Sequence, residues 1–312
     1  MTIDHHLRIL DAHHHFWDLT SDGRWPWIAE EVDEHFFLGD YAAMRRTFMP
    51  AEYGAATAGW EVIGTVHCEA ERARDEQVDE SVWLTRLHEA DHRFPLAAVG
   101  HVFFTQPDLQ DVLAGHAEHP LVRGIRSKPV TSSGPGESVR GAPGSMQDPS
   151  WLDGLQQLAD HGFSWDLRVP FHHLAEAAEV VRSVPETTVV INHCGLPLDR
   201  SESGLAVWRG GMERLAALPN TVVKVSELGL PANRWNRASN ERVVRETLSL
   251  FGHDRAMFAS NLPVGTLTAP DFGEIVGTVL AGAAGASAAQ LDALFHRTAA
   301  RVYRIDLSDT TP

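Results

Sequence analysis

Apolar residues along this chain fall into short runs. The stretches between the runs repeat apolar positions every third or fourth residue. Eight runs read as strands, at 8–15, 62–70, 96–104, 122–128, 163–169, 188–193, 222–227 and 256–261. Several are almost continuously apolar, as expected of parallel strands covered on the outside by helices. The intervening stretches carry helix signals. Val78, Val82, Trp83 and Leu87 share a helical face. Asp148-Pro149 opens a helix through Leu152, Leu155 and Leu158 that Gly162 stops. Ser239 leads into Val243, Val244, Leu248 and Phe251, closed by Gly252, and Ser287 with Gln290 forms a capping box. Eight such units predict an α/β fold, a single (β/α)8 TIM-barrel domain over residues 1–312. An open doubly wound sheet would show a Gly-rich turn after its first strand, and that turn is missing.

Two connections exceed what a barrel needs. Residues 18–41 carry Trp25, Pro26, Trp27, Phe36 and Phe37, and residues 130–147 are rich in Gly, Ser and Pro. Both follow strands, so both belong to the catalytic face and read as candidate lids.

Composition narrows the function. The 312 residues are 43% hydrophobic, enough for a core that needs no disulfide or metal. Two cysteines, Cys68 and Cys194, make no disulfide framework, and a cytoplasmic location is expected. No apolar run approaches the roughly 18 residues of a membrane span, and residues 1–10 hold no apolar stretch of leader length. A formal charge of -16 repels phosphate backbones, so the expected partner is a small molecule rather than nucleic acid. The chain is also compatible with a homo-oligomer.

With 18 histidines, position decides which of them matter. In Asp11-Ala12-His13-His14-His15, residues two apart on a strand face the same way, which pairs His13 with His15 and turns His14 away. Two imidazoles at a strand end can hold a divalent metal or an anionic ligand. Other strand ends supply His193, Asn261 and Glu227, then His67 with Glu69, Arg126 with Lys128, and Asp166 with Arg168. Polar residues converging at barrel strand ends read as a site. His13, His15, His193, Asn261 and Glu227 are therefore the candidate catalytic residues. Arg126, Lys128, Asp166, Arg168, Glu69 and Trp27 are the candidate substrate contacts. Structural ion pairs among these charges compete with that role, and Cys68 and Cys194 read as buried, inert thiols.

The motifs, in order, are Asp11-x-His13-x-His15-Phe16-Trp17, Gly124-Ile125-Arg126, Asn192-His193-x-Gly195-x-Pro197, Lys224-x-Ser226 and Met257-Phe258-x-Ser260-x-x-Pro263-Val264. This order resembles the amidohydrolase superfamily, in its amidohydrolase-related branch of sugar-acid, muconolactone-type and pyrone dicarboxylate lactonases. The resemblance runs from Asp11 to Tyr303. It implies that His13, His15 and His193 surround the reaction centre and would be the ligands of any metal there. Zinc or another divalent metal and a metal-free centre are both compatible with it. It further implies that Arg126 contacts a substrate carbonyl or carboxylate. One departure stands out: the family pattern Ser-Asp-x-Pro is Ser260-Asn261-Leu262-Pro263 here. An amide has no basic charge near neutral pH, so Asn261 cannot be the base that activates water. His193, Glu227, Glu69 and Asp166 remain as alternatives. The implied activity is a hydrolase that opens a lactone or similar cyclic ester, metal-independent on one reading. The alternatives are a metal-dependent non-oxidative decarboxylase and a ligand-binding barrel without activity.

Overall fold

The computed structural model describes residues 7–30, 33, 36–232 and 234–308. Eight parallel strands pair in chain order: β1 Arg8–His14, β2 Glu61–Cys68, β3 Ala97–His101, β4 Val122–Arg126, β5 Ser164–Leu167, β6 Val189–Ile191, β7 Thr221–Val225 and β8 Ala256–Phe258. Helices lie between them, and the sheet curls until its edges meet. Closure is made just beyond the strands. The His15 amide donates to the Leu262 carbonyl at 2.8 Å, and the Asn261 amide donates to the His13 carbonyl at 2.8 Å. Asp11 locks this seam by accepting from the Ser260 amide (2.8 Å), the Ser260 hydroxyl (2.5 Å) and the Tyr53 hydroxyl (2.8 Å). The predicted (β/α)8 barrel is thus the observed fold.

Alternation along each strand sorts side chains into two buried layers. Leu10, Ala12, Val66, Cys68, Val99, Val190, Val222 and Met257 pack inside the barrel. Ile9, Ile125, Trp165, Ile191, Val223 and Phe258 join the layer under the helices. Space inside is tight: a Cβ on Gly124 would sit 2.3 Å from Ser164 Oγ.

Most helix signals translate directly. Gln77–Asp91 and Pro149–Gln156 are helical, with Asp148 capping the latter and Gly162 left-handed where its last turn ends. Ser287 and Gln290 form the expected box. One start is displaced: the helix Arg237–Phe251 is capped by Asn236, whose side chain accepts from the Ser239 amide, so Ser239 lies inside the first turn. Asn236 is an equally good cap with an earlier claim on the same amide.

Several strands end sooner than their apolar runs suggest, for one reason. His193, Cys194, Glu227 and Asn261 adopt left-handed backbone with φ of 58°, 51°, 48° and 56°. The chain turns out of the sheet at these residues, so the side chains chosen for chemistry sit on turns just past the strands. Non-glycine residues in this region are uncommon and concentrate at functional sites. Among the described residues, no helix is long and apolar enough to cross a membrane.

Candidate active site

The barrel mouth holds a cavity of about 310 Å³ lined by His15, Trp27, Glu69, Arg126, Lys128, Arg168, His193 and Asn261, with Phe36 and Phe37 across from them. Its aromatic wall comes from the 18–41 connection, of which residues 31, 32, 34 and 35 lie outside the described chain. Trp27 is anchored by its indole N–H to the Ala70 carbonyl at 2.8 Å and stacks on Phe36. The 130–147 connection contributes nothing to the lining. Its Ser132 amide donates instead to His173 Nε2 at 2.9 Å, and neither residue lines the cavity.

His13 and His15 meet as their spacing predicted, Nε2 to Nε2 at 3.3 Å, and the His193 ring lies 4.7 Å from that of His13. His14 faces the other way, against Phe16 and Tyr53. The hydrogen-bond partners fix the tautomers. His15 donates Nδ1–H to the Cys68 carbonyl at 2.8 Å, which leaves its Nε2 bare. His13 Nδ1 faces Lys224 Nζ at 3.3 Å. An ammonium only donates, so the His13 proton sits on Nε2 and points at His15. Burial, then the Lys224 charge, pushes His13 well below the ordinary imidazole range. Burial followed by Arg126 does the same to His15, and burial followed by Arg168 to His193. All three rings are neutral near pH 7.

The candidate carboxylates part ways. Glu69 accepts from Arg126 Nε at 2.5 Å, while Arg126 also donates to the Glu69 carbonyl at 2.8 Å. Burial would raise Glu69, but Arg126 and then Lys128 overcome it and hold it down at about 2. Glu227 has no cation at ion-pair distance among the described residues. It accepts from Asn261 Nδ2, its other oxygen is buried without a partner, and burial raises it to about 7. Asn261 Oδ1 lies 3.2 Å from His15 Nε2, and with that nitrogen unprotonated the two acceptors share no hydrogen bond. Glu227 stands one side chain behind the cavity wall.

Two strand-end expectations need correction. Asp166 and Arg168 do not share the pocket. Arg168 lines it, stacked over Phe37 at 4.8 Å, while Asp166 lies below in the barrel, bonded to Lys224 Nζ at 2.5 Å and Asn192 Nδ2 at 2.9 Å. Nor do His67 and Glu69 share a face. Because β2 ends at Cys68, Glu69 turns onto Arg126, while His67 points outward to Glu80 at 3.2 Å. Cys68 is the residue facing inward. Both thiols are buried and free, pushed up by burial to about 12 at Cys68 and about 11 at Cys194. Lys128 lines the pocket but is tied to Glu71.

Lys224 escaped the sequence reading as a site residue, although it stood in a motif. Its signal was a lysine inside the run Val222-Val223-Lys224-Val225. It is fully buried and paired with Asp166.

The donor set can be tested against a metal. Among the described residues, one trio offers ligand atoms all within 4.8 Å of one another: His13, Cys68 and Asp166. These donors suit zinc by type. However, Lys224 Nζ already touches Asp166 and His13. The ammonium thus takes the Nδ1 side of His13, where a metal bridging His13 and Asp166 would bind. As they stand, these residues do not fit a divalent ion in that seat.

The match to known proteins agrees with this architecture. The amidohydrolase family model aligns with residues 10–305, and the chain belongs to that family. It is 32% identical over 299 residues to the protein y4mH of Sinorhizobium fredii, covering 96% of this chain and 99% of that one. It is 28% identical over 310 residues to the L-fucono-1,5-lactonase of Burkholderia multivorans, covering 96% of each. A crystal structure of a Burkholderia multivorans amidohydrolase with bound zinc superposes with a TM-score of 0.77 at 26% identity, over 96% of this chain and 99% of that one.

Proposed function

We propose that this protein is a hydrolase that opens a lactone or similar cyclic ester of a small, carboxylated molecule. One observation carries the reading. Arg168 lines the same cavity as His15, His193 and Asn261, and no carboxylate among the described residues lies within ion-pair distance of it. A half-buried guanidinium left open beside neutral imidazoles is a seat for a substrate carboxylate. The cavity is sized for one ring, and the aromatic wall from 18–41, acting as a lid, suits an apolar ring face. Similarity to a lactonase supports the ester class.

On this reading Glu69 fixes the Arg126 guanidinium, whose remaining N–H groups polarise the ester carbonyl. Water adds to the carbonyl carbon and gives one proton to Glu227. The tetrahedral intermediate collapses, the ring C–O bond breaks, and Glu227 returns the proton to the leaving alkoxide. Glu227 is preferred as base because its affinity for a proton matches neutral pH, whereas Glu69 is far too acidic. Because Asn261 stands between Glu227 and the cavity, the proton transfer requires one relaying water. Asp166, held beneath the cavity by Lys224, is left out of this chemistry. The test is a pH-indicator assay over a panel of sugar-acid and aromatic lactones. Acid release, faster for lactones bearing a carboxylate, is expected. Carbon dioxide release from aromatic acids with no lactone turnover would replace this reading with the decarboxylase.

A further inference from the structure

The interior beneath the histidines holds a charge arrangement that lactone hydrolysis does not use. His13, Cys68 and Asp166 bring a nitrogen, a sulfur and a carboxylate oxygen within 4.8 Å of one another. That is the donor chemistry of a borderline-soft divalent cation. Asp166 cannot stand alone in a barrel interior, because an unpaired buried charge is strongly unfavourable. Its partner is the Lys224 ammonium, 2.5 Å from Oδ1, with Tyr303 packed alongside.

We propose that the Lys224 ammonium is the resident cation of this centre, seated where His13, Cys68 and Asp166 would otherwise bind a divalent metal, and that its removal uncovers that metal site. Charge balance supports the exchange. At present one ammonium neutralises one carboxylate beside a neutral thiol. Without Lys224, one divalent ion would neutralise the Asp166 carboxylate and a Cys68 thiolate, and the thiol proton would leave to solvent. The same ammonium sets the His13 tautomer by donating to Nδ1, which puts the ring proton on Nε2 toward His15. The Lys224 seat lies beneath the cavity and does not depend on which substrate enters it.

Cobalt(II) is the probe, since a thiolate ligand adds a near-ultraviolet charge-transfer band to its visible spectrum. Wild-type protein is expected to take up no cobalt that survives gel filtration. Lys224→Ala should bind one equivalent with the thiolate band, about 100-fold or more tighter than wild type. In Lys224→Ala/Cys68→Ser the band should vanish. Nitrogen-15 NMR of the wild type should show His13 protonated on Nε2. One equivalent of cobalt retained by wild type, with or without the band, would overturn the proposal. So would a folded Lys224→Ala that binds no more than wild type, or a His13 proton on Nδ1. Should Lys224→Ala fail to fold even with cobalt, the two wild-type measurements decide alone.

Discussion

Two glutamates stand at the barrel mouth, both buried and both just past a strand, yet their chemistry is opposite. Glu69, after β2, meets Arg126 and is held at about 2. Glu227, after β7, hydrogen-bonds the Asn261 amide and feels Arg168 only from beyond ion-pair distance, so burial raises it to about 7. A carboxylate facing a guanidinium is a brace: permanently charged, it aims its partner. A carboxylate facing an amide has no cation in contact to hold its charge, so burial brings its proton exchange near neutrality. The neighbour therefore decides the role, and one side of the mouth is built to position while the other is built to titrate.

Breaking the brace should have the largest effect. Glu69→Gln leaves Arg126 charged, buried and unpaired, and is expected to cost roughly 3–5 kcal/mol of stability, read by urea denaturation. Unaltered stability would mean that Arg126 finds water there. Next, Glu227→Gln should lower kcat on a responsive lactone about 1,000-fold, within the range of lost general-base catalysis. The wild-type rise in rate through about pH 7 should disappear with it. If the Gln variant keeps that rise, the base is elsewhere, and His193 is the first alternative.

The same substitution sharpens the contrast through stability. Folding raises the Glu227 pKa from the ordinary 4.5 to about 7 by burial. The folded state therefore gains from the bound proton below 4.5 and loses that gain as pH climbs through about 7. Wild type should lose on the order of 3 kcal/mol relative to Glu227→Gln between pH 4.5 and pH 8. Thermal melts of both proteins across that range measure it, and parallel curves would show a solvated carboxylate. Arg168→Met should raise KM for carboxylated lactones about 30-fold and leave neutral ones unaffected, the worth of one charge-assisted hydrogen bond. An equal effect on both classes would assign Arg168 to shaping the cavity. Smallest is Asn261→Asp. A second carboxylate against Glu227 should move the acid limb upward by about one pH unit, and an unmoved limb would separate the two side chains in solution.

Much of this was readable from the chain. The barrel followed from eight apolar runs and the helical patterns between them, because periodicity reports which faces are covered. The pairing of His13 with His15 followed from strand alternation alone, and Asn261 was recognisable as an amide where a base is expected. The division of the mouth was not readable. Glu69 and Glu227 are the same residue in similar positions, and only the fold decides that one meets a guanidinium and the other an amide. Strand length was overestimated for a related reason. The turns at His193, Glu227 and Asn261 require left-handed backbone, which nothing in those side chains announces. Lys224 was visible as a charge in an apolar strand, but its partners Asp166 and His13 lie 58 and 211 residues away. Local pattern determined the architecture and gathered the candidate residues at the barrel mouth, because burial periodicity is a property of neighbours in sequence. Protonation states and partners belonged to the tertiary structure, because a buried charge takes its properties from whatever closure of the barrel brings against it.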